Sequence, residues 1–140
     1  MVFLVPYDGS ELSKAALRRA AAFADDEEII ALTVVPSGKH YAKMKGWTDE
    51  TVAVDDVQSR LEAEVADIAP EATFEVVRTE SRPPSAKIAK IIRRKAIGHD
   101  ASVVFLGSTH AGRRMSPVSS IGPGVVSDES YDVYLARTRD

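Results

Sequence analysis

Short apolar runs alternate along this chain with longer stretches in which apolar residues recur every three or four positions. Val2-Phe3-Leu4-Val5 is the first run, stopped by Pro6, and Asp8-Gly9-Ser10 then supplies a turn and a helix N-cap ahead of Leu12, Ala15, Ala16, Ala20 and Phe23. Ile29 to Val35, rich in β-branched residues, predicts a second strand ending at Pro36-Ser37-Gly38. Val57, Leu61, Val65 and Ile68 recur at helical spacing until Pro70, and Thr73 to Val77 predicts a third strand. Ser81-Arg82-Pro83-Pro84-Ser85 opens a helix whose apolar stripe is Ile88, Ile91, Ile92 and Ala96, with Gly98 as its closing residue, before a fourth strand over Ala101 to Leu106. A fourth helix is expected near Val118 to Ser127, and a last strand over Tyr131 to Ala136, nearer the sheet edge than the first four.

Strands that are apolar throughout, separated by amphipathic helices and short connections, imply a parallel sheet covered on both faces. The expected architecture is a doubly wound α/β fold, with five parallel strands sandwiched by helices in one domain over residues 1–140. In such a sheet ligands bind beyond the carboxyl ends of the strands where the winding reverses, which makes neighbours of the loops carrying Asp8 and Gly107. The stretch from Lys39 to about Asp55 is longer than most connections, and Tyr41, Met44 and Trp47 within it suit either a cap over a ligand or a small apolar cluster.

Composition narrows the function classes. A chain of 140 residues, 44% hydrophobic and 28% charged, is the size and make-up of one folded domain. With 21 acidic and 18 basic residues the net charge is −3, so no global positive field draws it to nucleic acid or anionic membrane. Lys87, Lys90 and Arg94 fit a solvated helix face. The absence of cysteine excludes disulfides, thiolate nucleophiles and cysteine-ligated metals, and with no basic leader or long apolar span a cytoplasmic protein is expected. His40, His99 and His110 have no common spacing that suggests a metal site. Ser108, Ser116, Ser119 and Ser120 lie in no nucleophile-elbow pattern, so no catalytic residue is assigned.

The chemistry concentrates in Leu106-Gly107-Ser108-Thr109-His110-Ala111-Gly112, which leaves the fourth strand, and in Gly122-Pro123-Gly124 beyond it. A glycine loop leading from a parallel strand toward a helix offers backbone N–H groups to an anion. It carries neither the lysine of a P-loop nor the glycine spacing of a dinucleotide fingerprint.

Leu4-Val5-Pro6-Tyr7-Asp8-Gly9-Ser10-Glu11 with Ala15 and Ala16, then Leu32-Thr33-Val34-Val35-Pro36, and Asp100 to Ser108 together resemble the universal stress protein family over nearly the whole chain. The resemblance implies an adenine-nucleotide α-hydrolase-like fold and a stress-response module that binds ATP or AMP, with or without Mg2+, as a regulatory ligand. It implies a nucleotide site with Asp8 at the ribose or adenine end, the Val34 backbone against adenine, and Gly107, Gly112, Gly122 and Gly124 along the phosphates, with Pro6, Tyr7, Leu106, Arg113, Pro123 and Val125 as further binding residues. It also implies a homodimer through residues 131–136 and an unidentified regulatory protein partner. ATP-binding members carry Gly-x-x-Gly, nine residues, then Gly followed by Ser or Thr. Here Gly112 and Gly122 keep the nine-residue interval, but Gly107 precedes Gly112 by five positions and Pro123 replaces the hydroxyl residue. Proline supplies neither hydroxyl nor N–H, although Arg113, Arg114, Ser119 and Ser120 offer substitute donors. The alternative is a nucleotide-free dimer acting through protein–protein contacts, and in that case Asp8 is simply a turn former and helix cap.

Overall fold

The computed structural model describes residues 1–36, 54–79, 85–107 and 124–137. The five expected strands are present: β1 (Val2–Pro6), β2 (Glu28–Pro36), β3 (Thr73–Thr79), β4 (Ala101–Gly107) and β5 (Asp132–Ala136). Among the described residues three helices lie between them, α1 (Glu11–Phe23), α2 (Val54–Ile68) and α3 (Ser85–Gly98). Residues 124–126 are helical too, and the rest of the helix expected over 118–127 lies outside the described residues.

The strands pair in the order β3-β2-β1-β4-β5, and every pairing is parallel. The chain therefore winds outward from β1 through β2 to β3, then returns across β1 to build β4 and β5, which places the reversal between β1 and β4. β5 occupies one edge, as its alternating pattern suggests, and β3 the other.

Alternation along the strands divides the core in two. Phe3, Val5, Tyr7, Ala31 and Phe105 face Ala16, Leu17 and Ala20 of α1 and Val57, Leu61 and Val65 of α2. Leu4, Ile30, Leu32, Val104 and Leu106 face Ala89, Ile92 and Ala96 of α3 together with Val125. Leu4, Leu17, Leu32 and Leu61 are completely enclosed, and each such side chain contributes about 1.5–3 kcal/mol of apolar transfer free energy. Phe23, placed on the apolar face of α1 by its spacing, is half exposed, but its ring meets Tyr134 of β5 edge-on at 5.3 Å. Phe105 completes the cluster, 5.3 Å from Tyr134 and 6.3 Å from Phe23.

At the end of α3 the left-handed residue is Asp100, with φ of 55°, while Gly98 stays within the last helical turn. Aspartate tolerates that conformation better than most non-glycine residues. No described helix is long and apolar enough to cross a membrane.

Candidate site at the β1–β4 crevice

Tyr7 leaves β1 pinned at four points. Its N–H donates to the Leu32 carbonyl at 2.8 Å, its carbonyl accepts from Thr33 Oγ1 at 2.9 Å, its ring is buried, and its hydroxyl donates to Glu64 Oε1 of α2 at 2.6 Å. Burial, reinforced by the Glu64 carboxylate and by Asp8, pushes the Tyr7 phenol well above its ordinary range, so it stays a proton donor at physiological pH.

Asp8 follows in a compact cap. Its Oδ1 accepts from Ser10 N–H at 2.9 Å, its own N–H donates to Ser13 Oγ at 3.3 Å, and Ser10 Oγ caps α1 by accepting from Ser13 N–H at 3.2 Å. Gly9 takes φ of 83°, a conformation that glycine adopts without a Cβ penalty. The structure gives the cap of α1 to Ser10, while Asp8 forms the turn that precedes it.

The adjoining strands β2 and β4 flank the end of β1. Leu32 directs its carbonyl to β1, and backbone direction repeats every second residue in a strand, so Val34 directs its N–H and carbonyl to that side too. β1 pairs with β2 only as far as Pro6 opposite Leu32, and Val34 lies past that point. On the other flank Leu4 pairs with Val104, a register that carried forward sets Pro6 and Tyr7 against Leu106 and Gly107. Pro6, Tyr7, Asp8, Val34, Leu106 and Gly107 of the expected site thus lie at the carboxyl ends of β1, β2 and β4, whereas Gly124 and Val125 pack against α3.

The glycines do not all serve flexibility. A Cβ on Gly107 would stand 2.5 Å from Leu12 Cβ, 2.5 Å from Leu12 O and 2.6 Å from Leu12 C, so its glycine identity follows from the close approach of α1. Gly124 approaches α3 similarly, where a Cβ would lie 2.9 Å from Ala89 Cβ. The Gly124 carbonyl accepts from Arg93 at 3.1 Å and from Ser127 Oγ at 2.9 Å, while the buried Val125 offers its carbonyl to the Tyr131 hydroxyl at 2.7 Å. Val125 and Leu106 share the core cluster under α3. Gly112, Arg113, Gly122 and Pro123 lie outside the described residues, as do Arg114, Ser108, Ser116, Ser119, Ser120, His40, His110, Tyr41, Met44 and Trp47.

Ser13, Thr33 and Glu64 support this site although motif and spacing did not single them out as site residues. Thr33 and Ser13 are the buried polar side chains of the described residues, and a threonine inside the run Ile29 to Val35 was the available signal. Among the described residues no three His, Asp or Glu side chains gather as metal ligands. His99 instead lies 2.9 Å from Glu75 Oε1, at the amino-terminal side of β4 and away from the crevice.

Comparison with known proteins places this geometry in a family. The model of the universal stress protein family matches residues 1–121. A search of curated protein sequences gives no match. Among solved structures, the universal stress protein UspA from Lactobacillus plantarum has a TM-score of 0.63 and 22% identity, over 98% of this chain and 97% of that one. A universal stress protein from Archaeoglobus fulgidus, solved in complex with dAMP, has a TM-score of 0.56 and 14% identity over 96% and 95% of the two chains. A universal stress protein family member from Arabidopsis thaliana, solved with AMP bound, has a TM-score of 0.57 and 13% identity over 99% and 92%.

Proposed function

The chain belongs to the universal stress protein family, and from that premise we propose that it is a cytoplasmic stress-response module that binds ATP or AMP at the β1–β4 crevice as a regulatory ligand. The observation that supports the reading is that Asp8 leaves β1 at the sheet's winding reversal, while Val34 continues β2 past the end of its pairing with β1. Asp8 accepts from ribose hydroxyls, the N–H and carbonyl of Val34 address the adenine edge, and Gly112, Arg113, Gly122, Pro123, Gly124 and Val125 follow the phosphates. Relatives solved with AMP or dAMP support an adenine nucleotide as the ligand class. Mg2+ accompanies the nucleotide when a triphosphate is bound. Binding shifts the population of loop or subunit arrangements, and a protein partner reads that shift.

The module works as a homodimer through residues 131–136. β5 is an edge strand with Leu135 half exposed, and pairing with a second copy satisfies its outer backbone groups. Leu135→Lys is expected to convert the dimer to monomer in sedimentation velocity, and a wild-type chain that sediments as a monomer refutes this interface.

The nucleotide-free reading has one observation in its favour. Gly107 is required by Leu12 whether or not a phosphate is present, so this glycine does not by itself argue for a ligand. Calorimetric titration of nucleotide-stripped protein with ATP, with AMP and with Mg2+ alone separates the two. Micromolar nucleotide binding that weakens in Asp8→Ala and in Gly122→Val supports the site; a folded protein that binds neither nucleotide is the partner-binding dimer.

A further inference from the structure

Glu64 belongs to no motif, yet its carboxylate lies beneath the loop that carries Asp8. α2 turns Leu61 and Glu64, three positions apart and therefore on one helical face, toward that loop. A Cβ placed on Gly9 would come within 3.0 Å of Leu61 Cδ2 and 3.4 Å of Glu64 Oε1, so this turn of α2 forms the floor under Gly9. The same Glu64 oxygen accepts the Tyr7 hydroxyl at 2.6 Å. Tyr7 and Gly9 flank Asp8, and both rest on the Leu61–Glu64 turn.

We propose that Glu64 is a positioning residue of the nucleotide site, which holds Tyr7 in place and through it fixes the backbone from which Asp8 reaches the ligand. The inference rests on the nucleotide-binding reading and extends it to a residue that touches no ligand. The Tyr7 ring is rigid and enclosed, so its hydroxyl reaches Glu64 only while the Tyr7 backbone keeps its place beside Leu32 and Thr33. Loss of the carboxylate strands a buried hydroxyl, and the ring regains an acceptor only by moving the chain at Tyr7 and Asp8. A site whose aspartate is held in advance spends less ordering entropy when the nucleotide arrives.

The test is calorimetric titration with ATP and with AMP, read beside thermal stability. Tyr7→Phe and Glu64→Leu are expected to weaken nucleotide binding about tenfold, the scale of a lost hydrogen bond to a charged group. Glu64→Gln, whose amide oxygen still accepts, should restore most of the affinity. Val65→Ala, which opens a cavity on the same helix, should lower stability without that loss of affinity. Combining Tyr7→Phe with Asp8→Asn should be markedly non-additive, because the tyrosine acts through the aspartate. Unchanged affinity in Tyr7→Phe and Glu64→Leu, or full additivity with Asp8→Asn, overturns the proposal. If wild type binds neither nucleotide, the nucleotide reading falls separately, and amide hydrogen exchange decides the positioning role. Faster exchange at Gly9 and Ser10 in Tyr7→Phe but not in Val65→Ala then upholds the role, and unchanged exchange overturns it.

Discussion

Gly107→Ala isolates why a glycine ends β4. The added methyl would meet the Leu12 side chain and, less forgivingly, the Leu12 backbone, at 2.5 Å from both Cβ and O. Ordinary contact begins near 3.4 Å, so the first turn of α1 must retreat by about 0.9 Å or β4 must bend. Neither motion is easy, since α1 is capped at Ser10 and buries Ala16, Leu17 and Ala20 against the sheet. Overpacking of this kind costs typically 1–3 kcal/mol, and a backbone obstacle belongs at the upper end, about 2–3 kcal/mol. For 140 residues the unfolding entropy is roughly 0.3 kcal/mol per kelvin, so the Tm should fall by roughly 6–10 °C. The control is Gly98→Ala: a Cβ there meets nothing within 4 Å, and the helical position should gain about 0.5 kcal/mol. Urea denaturation and calorimetry of both variants measure the difference. A Gly107→Ala protein melting within about 2 °C of wild type would refute the packing argument and return this glycine to a role in ligand approach alone.

Three further outcomes are expected. Thr33→Val keeps the side-chain shape but removes the donor to the buried Tyr7 carbonyl, and should cost about 1–3 kcal/mol in urea denaturation; a change below about 0.5 kcal/mol would mean that water or another donor takes its place. Ser10→Ala removes the cap that accepts from Ser13 N–H, with an expected loss of about 1 kcal/mol. Burial pushes the Glu75 carboxyl up, but hydrogen bonds and charge from Lys95 and His99 outweigh it and hold the group below its ordinary 4.5. A depressed carboxylate stabilises the fold above its unfolded-state value, and that contribution is lost as pH falls through the folded-state value. Denaturation between about pH 5 and pH 3 should therefore show a shallower acid loss in Glu75→Gln than in wild type, and identical slopes would contradict the assignment.

The parts of this fold legible in the sequence are those fixed by local patterning. Buried parallel strands such as β1 and β4 are apolar on both faces and announce themselves as continuous runs, while α1 and α2 show their spacing plainly. β3 is patterned more weakly because it is an edge strand that carries Glu75 and Arg78 among Phe74, Val76 and Val77. The alternation of elements implies a doubly wound sheet, and the observed order sets β1 beside β4, as expected for the ends that carry Asp8 and Gly107. What local pattern cannot encode is contact between residues far apart in the chain. Gly107 resembles a flexible loop glycine until Leu12 is seen against it, Gly98 resembles a helix stop until Asp100 takes the left-handed position, and Glu64 resembles any solvated acid until Tyr7 points at it. In each case the sequence supplies the residue type and the tertiary neighbour supplies its reason. The site follows the same division. Asp8 is visible as a turn residue after a strand, whereas its orientation depends on Ser13, Thr33 and Glu64, drawn from α1, β2 and α2, which become neighbours only when the sheet closes around β1.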